Sequence, residues 1–145
     1  DGWQEDAGEQ FDPAITPLTP VASPTGEPHL ASVRLNGRTV YIGAWHLQVG
    51  RVPLYLLDTD LADNHPEDRE LSHQLYAGGT RTRLRQEWVL GVGGVRTLRA
   101  VGVAPAAWHA NEGHSAFMLT ERLRELLAAG TSPAVVRRKG TGGGG

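Results

Sequence analysis

The dipeptide Asn36-Gly37 constrains this chain more than any other feature. It sits between Ala31-Ser-Val-Arg-Leu35 and Arg38-Thr-Val-Tyr-Ile42, two segments that alternate in polarity. A two-residue turn whose twist matches its flanking strands needs positive φ at both central positions, and Asn followed by Gly tolerates that best. An antiparallel hairpin over 31–42 is therefore expected. A third strand, Val52 to Leu57, should follow the turn at Gly50-Arg51. Pro53 lacks an N–H, so it suits an edge or the start of that strand.

Helices follow. Pro66 comes after Asp63-Asn64-His65, and Pro is favoured at the first helical position. Leu71, Leu75 and Tyr76 supply an apolar face, and Gly78-Gly79 ends that helix. A second helix is expected from Thr80 to about Arg99, with Leu84, Trp88, Val95 and Leu98 at helical spacing. Gly91, Gly93 and Gly94 interrupt it, each costing about 1 kcal/mol against Ala. Close packing of helix on sheet is the expected compensation, and Gly102 is the expected stop. Ala106-Ala-Trp-His-Ala110 reads as a short buried strand and Asn111-Glu112-Gly113-His114 as a turn. A third helix runs from about Ser115 to Ala129. Ala116, Leu119, Leu123, Leu126 and Leu127 are expected inward, with Glu121, Arg122, Arg124 and Glu125 outward. Helix, strand, helix at this spacing indicates an α/β layer with a parallel strand, preceded by the hairpin.

The 145 residues suffice for one domain by length. The stretch Asp1 to Pro28 is rich in Pro, Gly, Thr and acids, and Gly130 to Gly145 ends in Gly-Thr-Gly-Gly-Gly-Gly. Neither end can bury much apolar surface, and 130–145 is expected to be a disordered tail. Roughly a hundred central residues remain, a unit of modest stability alone. The net charge of −2 gives no global field for nucleic acid or anionic lipid. There is no cysteine, which excludes disulfides, thiolate metal sites and a Cys nucleophile. No apolar run approaches the roughly 20 residues a membrane helix needs, and no signal peptide opens the chain. A cytoplasmic protein is expected. The one methionine is Met118, so a chain opening at Asp1 reads as a fragment.

Several motifs invite chemistry. Asn111, Glu112 and His114 would lie beyond a strand end at a helix start, where ligands of open α/β sheets bind. Asn, a carboxylate and an imidazole together can bind hydroxyls and relay protons. The competing reading is capping: Asn111 as N-cap, with Glu112 complementing the helix dipole. Zinc fails on geometry, because His109 and His114 are five residues apart with the helix beginning only between them. Calcium at Asp58-x-Asp60-x-x-Asp63 fails because an EF-hand loop needs Gly and Glu where Asp63 and Arg69 stand. A solvated strand-to-helix loop is expected there. Leu90-Gly-Val-Gly-Gly94 is not a dinucleotide fingerprint and follows a helical pattern, so these are packing glycines. Arg81, Arg83 and Arg85 lack an aromatic stripe, which argues against nucleic acid and for a solvated helix start. Trp45, Trp88 and Trp108 could stack on sugars, but each lies in an apolar pattern and reads as core.

Four blocks occur in order: Arg51-Val-Pro-Leu-Tyr-Leu-Leu-Asp58, His73-Gln-Leu-Tyr76, Thr82-Arg-Leu-Arg-Gln-Glu87 and Trp108-His-Ala-Asn-Glu-Gly-His-Ser-Ala-Phe117. Together with Asp1-Gly-Trp-Gln4 they resemble the glycogen, starch and maltodextrin phosphorylases in their shorter bacterial and archaeal form. The resemblance covers roughly Asp1 to Leu127, as a partial N-terminal domain over 1–129, and fades after Ala129. It implies a Rossmann-like glycosyltransferase domain with a β-hairpin segment. It implies phosphorolysis of α-1,4-glucan by inorganic phosphate to glucose 1-phosphate. The cofactor it implies is pyridoxal 5′-phosphate, whose lysine lies outside this chain, as does the family's glycine-rich phosphate loop. Asn111, Glu112 and His114 match a segment facing the sugar. Tyr76, Gly78 and Gly79 match the start of a gating loop and Arg83 a basic residue just after it. The family usually carries an Asp near Gly79, so the loop is less polar here. A chain of this extent is expected to be inactive alone. The alternative is a non-catalytic α/β module that binds carbohydrate or a partner.

Overall fold

The computed structural model describes residues 18–73 and 78–130. Strands β1 (Thr19–Pro20), β2 (Ala31–Leu35), β3 (Arg38–Val49) and β4 (Val52–Asp58) form an antiparallel sheet in which β3 pairs with the other three. The turn that starts it is the expected one. Asn36 and Gly37 have φ of 50° and 75°, and Val33 stands opposite Val40. The strand expected to end at Ile42 runs on to Val49, because β4 continues the pairing from Gly43 opposite Asp58 to Val49 opposite Val52. Val33, Val40 and Ile42 are buried on one face, as a period of two requires.

Across that face lies a helical path made of α2 (Thr80–Trp88), a π-helical turn (Val89–Gly93) and α3 (Gly94–Ala100). Before it come the short α1 (Pro66–Arg69), with Pro at its first position, and a 3₁₀ turn over Glu70–Ser72. After it, a 3₁₀ turn over Gly113–Ser115 leads into α4 (Phe117–Ala128). Val89 and Val92 join Leu71 and the sheet residues in the core, with Leu35, Leu57, Trp88 and Phe117 packed around it. The expected glycine packing is present at two positions. A Cβ on Gly93 would stand 2.3 Å from Ile42 Cδ1, on the sheet, and one on Gly91 would stand 2.7 Å from Met118 N, on α4. At Gly102 φ is 80°, and the N–H groups of Gly102 and Val103 return to Arg99 and Leu98 carbonyls, closing the helix as expected.

Several expectations need correction. Ala106 to Ala110 is not a buried strand: the segment is irregular, and Ala106, Ala107 and His109 are exposed. A parallel strand needs neighbours to take its N–H and C=O groups, and no described strand lies beside it. The layer is α/β, but its sheet is antiparallel.

The phase of α4 also differs. Met118 and Glu121 face inward, while Leu119, Leu123 and Leu127 are 63%, 43% and 46% exposed. Ion pairing sets this phase. Glu121 receives Arg96 at 2.9 Å and Arg124 at 2.7 Å, and Arg99 binds Glu125 at 3.1 Å. Leu84 is exposed as well, because α2 turns its polar residues inward. Arg85 pairs with the fully buried Asp68, and Gln86 Nε2 donates to Leu71 O at 3.0 Å. Arg85 is thus no solvated helix start.

The acidic loop after β4 is anchored rather than merely solvated. Asp58 accepts from Trp45 Nε1 at 3.0 Å and Ser72 Oγ at 3.0 Å. The buried Asn64 pairs with both backbone groups of Tyr41. No helix of the described residues is long and apolar enough to cross a membrane. The expected tail after Gly130, and Leu75 of the first helix's expected face, lie outside the described residues.

Candidate functional site

Two segments converge on one carboxylate. Glu87, one turn after Arg83 on α2, accepts from Arg83 Nε at 3.1 Å. The same Glu87 oxygen, Oε1, lies 3.5 Å from His114 Nδ1 in the turn before α4. The other ring nitrogen, His114 Nε2, lies 3.6 Å from Glu112 Oε2. Glu87 and His114 are recessed, with side chains 19% and 24% exposed, whereas Glu112 is 74% exposed. The imidazole thus has an inner carboxylate and an outer one.

Packing fixes this meeting. Trp88 follows Glu87, and its ring meets Phe117 edge-on at 5.0 Å. On the same helical path, just beyond Trp88, comes Gly91, against which Phe117 and Met118 are pressed. Glycine at 91 lets the backbone of α4 come this close, and that brings the turn at His114 to the side of α2.

The turn itself is strained. Glu112 has φ 54° and ψ −160°, a region populated almost only by Gly. Capping does not explain it: Glu112 precedes the 3₁₀ turn and makes no side-chain cap bond, and none is made at the start of α4 either. Asn111 takes part through its carbonyl, which accepts from Ser115 Oγ at 3.1 Å. Glu112 is thus a non-glycine residue held at strained angles, with a solvent-facing carboxylate beside an imidazole, and such strain clusters at functional sites. Glu112 and His114 together offer both acceptor and donor to a hydroxyl.

Of the residues singled out from the sequence, Glu112, His114 and Arg83 come together and Asn111 lies beside them. Gly78, with φ 86°, and Gly79, the N-cap of α2, lead directly into the turn bearing Arg83. Tyr76 lies outside the described residues. Glu87 was missed, although its spacing of four from Arg83 on a helix is a legible signal. The three tryptophans among the described residues make contacts within the fold. Trp45 is tied to Asp58, Trp88 packs on Phe117, and Trp108 lies between Arg99 and Arg122, whose guanidinium carbons are 5.5 and 5.1 Å from its ring centre. Among the described residues no group of three or more His, Asp and Glu could hold a metal ion.

The chain is similar to the maltodextrin phosphorylase of Thermococcus litoralis, 41% identical over 130 residues, which is 90% of this chain and 16% of that protein. It is similar to the glycogen phosphorylase of Mycobacterium tuberculosis, 40% identical over 133 residues, 88% of this chain and 15% of that one. The glycogen phosphorylase of Aquifex aeolicus is 37% identical over 130 residues, 90% of this chain and 19% of its own length. No family model and no solved structure matches. The chain therefore spans less than a fifth of the length of these curated relatives. Over that span the chain corresponds to a segment of the glycogen and maltodextrin phosphorylases, and its α/β fold is consistent with part of an N-terminal phosphorylase domain.

Proposed function

We propose that this chain forms part of the sugar-facing wall of an α-glucan phosphorylase, a glycosyltransferase, whose complete polypeptide cleaves α-1,4-glucan with inorganic phosphate to give glucose 1-phosphate. The observation that carries the reading is the strained, solvent-facing Glu112 beside the recessed His114, on a turn held against α2. In this role Glu112 and His114 hold sugar hydroxyls, Asn111 shapes the turn, and the segment through Gly78, Gly79 and Arg83 borders the glucan's approach.

The described residues do not fit pyridoxal 5′-phosphate. They contain no lysine to form its imine, the chain's one lysine being Lys139. Their recessed arginines are already engaged: Arg38 and Arg85 by Asp68, Arg96 by Glu121 and Arg99 by Glu125. The cofactor's site belongs, in this reading, to other parts of the complete polypeptide. The isolated chain accordingly holds sugar contacts without the phosphate and cofactor that a transfer needs in register.

The test is kinetic. In the complete polypeptide, Glu112→Ala and His114→Ala should each lower turnover by the equivalent of about 1–3 kcal/mol, the worth of a hydrogen bond to a charged or buried group. Thermal unfolding should show both variants folded. Wild-type kinetics in both at equal stability would refute the assignment. The isolated chain should release no glucose 1-phosphate from maltoheptaose and phosphate.

A further inference from the structure

We infer that Glu87 is a positioning residue that orients the His114 imidazole and couples it to the segment bearing Arg83; the inference rests on the reading of His114 as a sugar contact. One carboxylate oxygen faces both Arg83 Nε, at 3.1 Å, and His114 Nδ1, at 3.5 Å. A carboxylate beside one ring nitrogen favours the proton there, which decides what the other nitrogen can do. With Nδ1 turned to Glu87, the nitrogen that meets substrate is Nε2, on the side of the exposed Glu112. Of the two carboxylates beside the ring, the recessed Glu87 is screened less by solvent than the exposed Glu112, so it weighs more on the tautomer and orientation of His114.

The placement of Glu87 is itself determined by packing. Trp88 is wedged on Phe117, and the π-helical turn that follows is buried at Val89, Gly91, Val92 and Gly93. A π-helical turn within a longer helix often marks a functional position. Here it follows directly after Glu87 and Trp88 and carries Gly91 against α4. Arg83 supplies the positive partner that holds the carboxylate in place, from within one turn of Gly79.

A double-mutant cycle in the complete polypeptide decides this. Maltodextrin phosphorolysis is measured for wild type, Glu87→Ala, His114→Ala and the double variant, with thermal midpoints for each. Glu87→Ala should lower kcat about tenfold or more, as removal of carboxylates that orient metal-binding histidines does. KM for glucan should change much less. In the His114→Ala background, Glu87→Ala should change kcat less than about twofold, because its effect passes through an imidazole already gone. Glu87→Gln, which keeps an acceptor of the same shape, should recover part of the loss and serves where Glu87→Ala does not fold. An undiminished Glu87 effect in the His114→Ala background, or a wild-type kcat in Glu87→Ala, overturns the inference while leaving the sugar assignment intact. A wild-type kcat in His114→Ala overturns both.

Discussion

Gly91 offers a sharp test of how the two halves of the site are held. Its substitution by Ala adds one methyl group to the buried π-helical turn. That carbon would lie 2.7 Å from both Met118 N and Phe117 Cβ and 2.8 Å from Phe117 C. Relaxed contacts between heavy atoms lie near 3.5–4.0 Å, so the start of α4 must retreat by on the order of 1 Å. No side chain can rotate away to relieve this, since two of the three atoms are backbone. Overpacking of this kind costs about 1–3 kcal/mol. Replacing Gly by Ala in a helix returns up to about 1 kcal/mol. With the full return, the net expectation is a loss of up to about 2 kcal/mol, or up to roughly 16 °C in melting temperature for a domain near this size.

Gly94 is the matched control on the same helical path. Its nearest contact would be Leu57 Cδ1 at 3.9 Å, an ordinary distance. Gly94→Ala should therefore gain up to about 1 kcal/mol. Thermal and urea unfolding of the isolated chain, followed by circular dichroism, measures both. A Gly91→Ala protein melting at or above wild type would show that α4 does not press on this glycine and would remove the clamp that brings His114 to Glu87.

Three further outcomes are expected. Asp68→Asn should destabilise by about 2–4 kcal/mol in urea unfolding, because Arg38 and Arg85 lose the charge of a fully buried partner. Stability should fall in acid. Burial alone would raise Asp68 and Glu121, but the Arg38 bond to the first and the Arg124 and Arg96 bonds to the second outweigh it, and the Arg69 and Arg99 bonds lower Asp60 and Glu125. All four folded-state values lie below the unfolded ones, so the unfolded chain binds more protons. The stabilisation is complete above about pH 5 and is lost as pH falls through the depressed values, which a series of unfolding midpoints from neutral to acid pH measures. Glu112→Gly should raise stability by about 1–2 kcal/mol by relieving its backbone while lowering turnover of the complete polypeptide, an opposition that calorimetry and kinetics test together.

What the sequence made legible was what neighbours in the chain decide. Asn36-Gly37, Pro66 and Gly102 act on their own turns, and each stands where local sterics put it. The packing role of Gly91 and Gly93 was legible too, because an interior helical glycine needs a reason. Which surface each glycine meets was not, since Phe117 and Ile42 are distant in sequence. The face of α4 was misread for a related cause. Hydrophobic periodicity places Leu119, Leu123 and Leu127 inward, yet Arg96 and Arg99 on α3 draw Glu121 and Glu125 toward them.

The site divides along the same line. The Asn111 to His114 turn is readable as a run of polar groups before a helix, whereas the carboxylate behind His114 comes from α2, a separate segment. Only Arg83 and Glu87, four apart, were adjacent enough to be seen as a pair. The strain at Glu112 could not be read at all, because nothing about glutamate asks for positive φ. Gly113 follows it immediately and would have accepted those angles without cost. That the unfavourable conformation falls on the acid and not on the glycine beside it means the turn is held from outside, by the contact of α4 with Gly91 on one side and the His114 contacts with Glu87 and Glu112 on the other. A turn shaped only for its own stability would place glycine at position 112. The chain instead has there a carboxylate that faces solvent, the group that the proposed sugar contact would use.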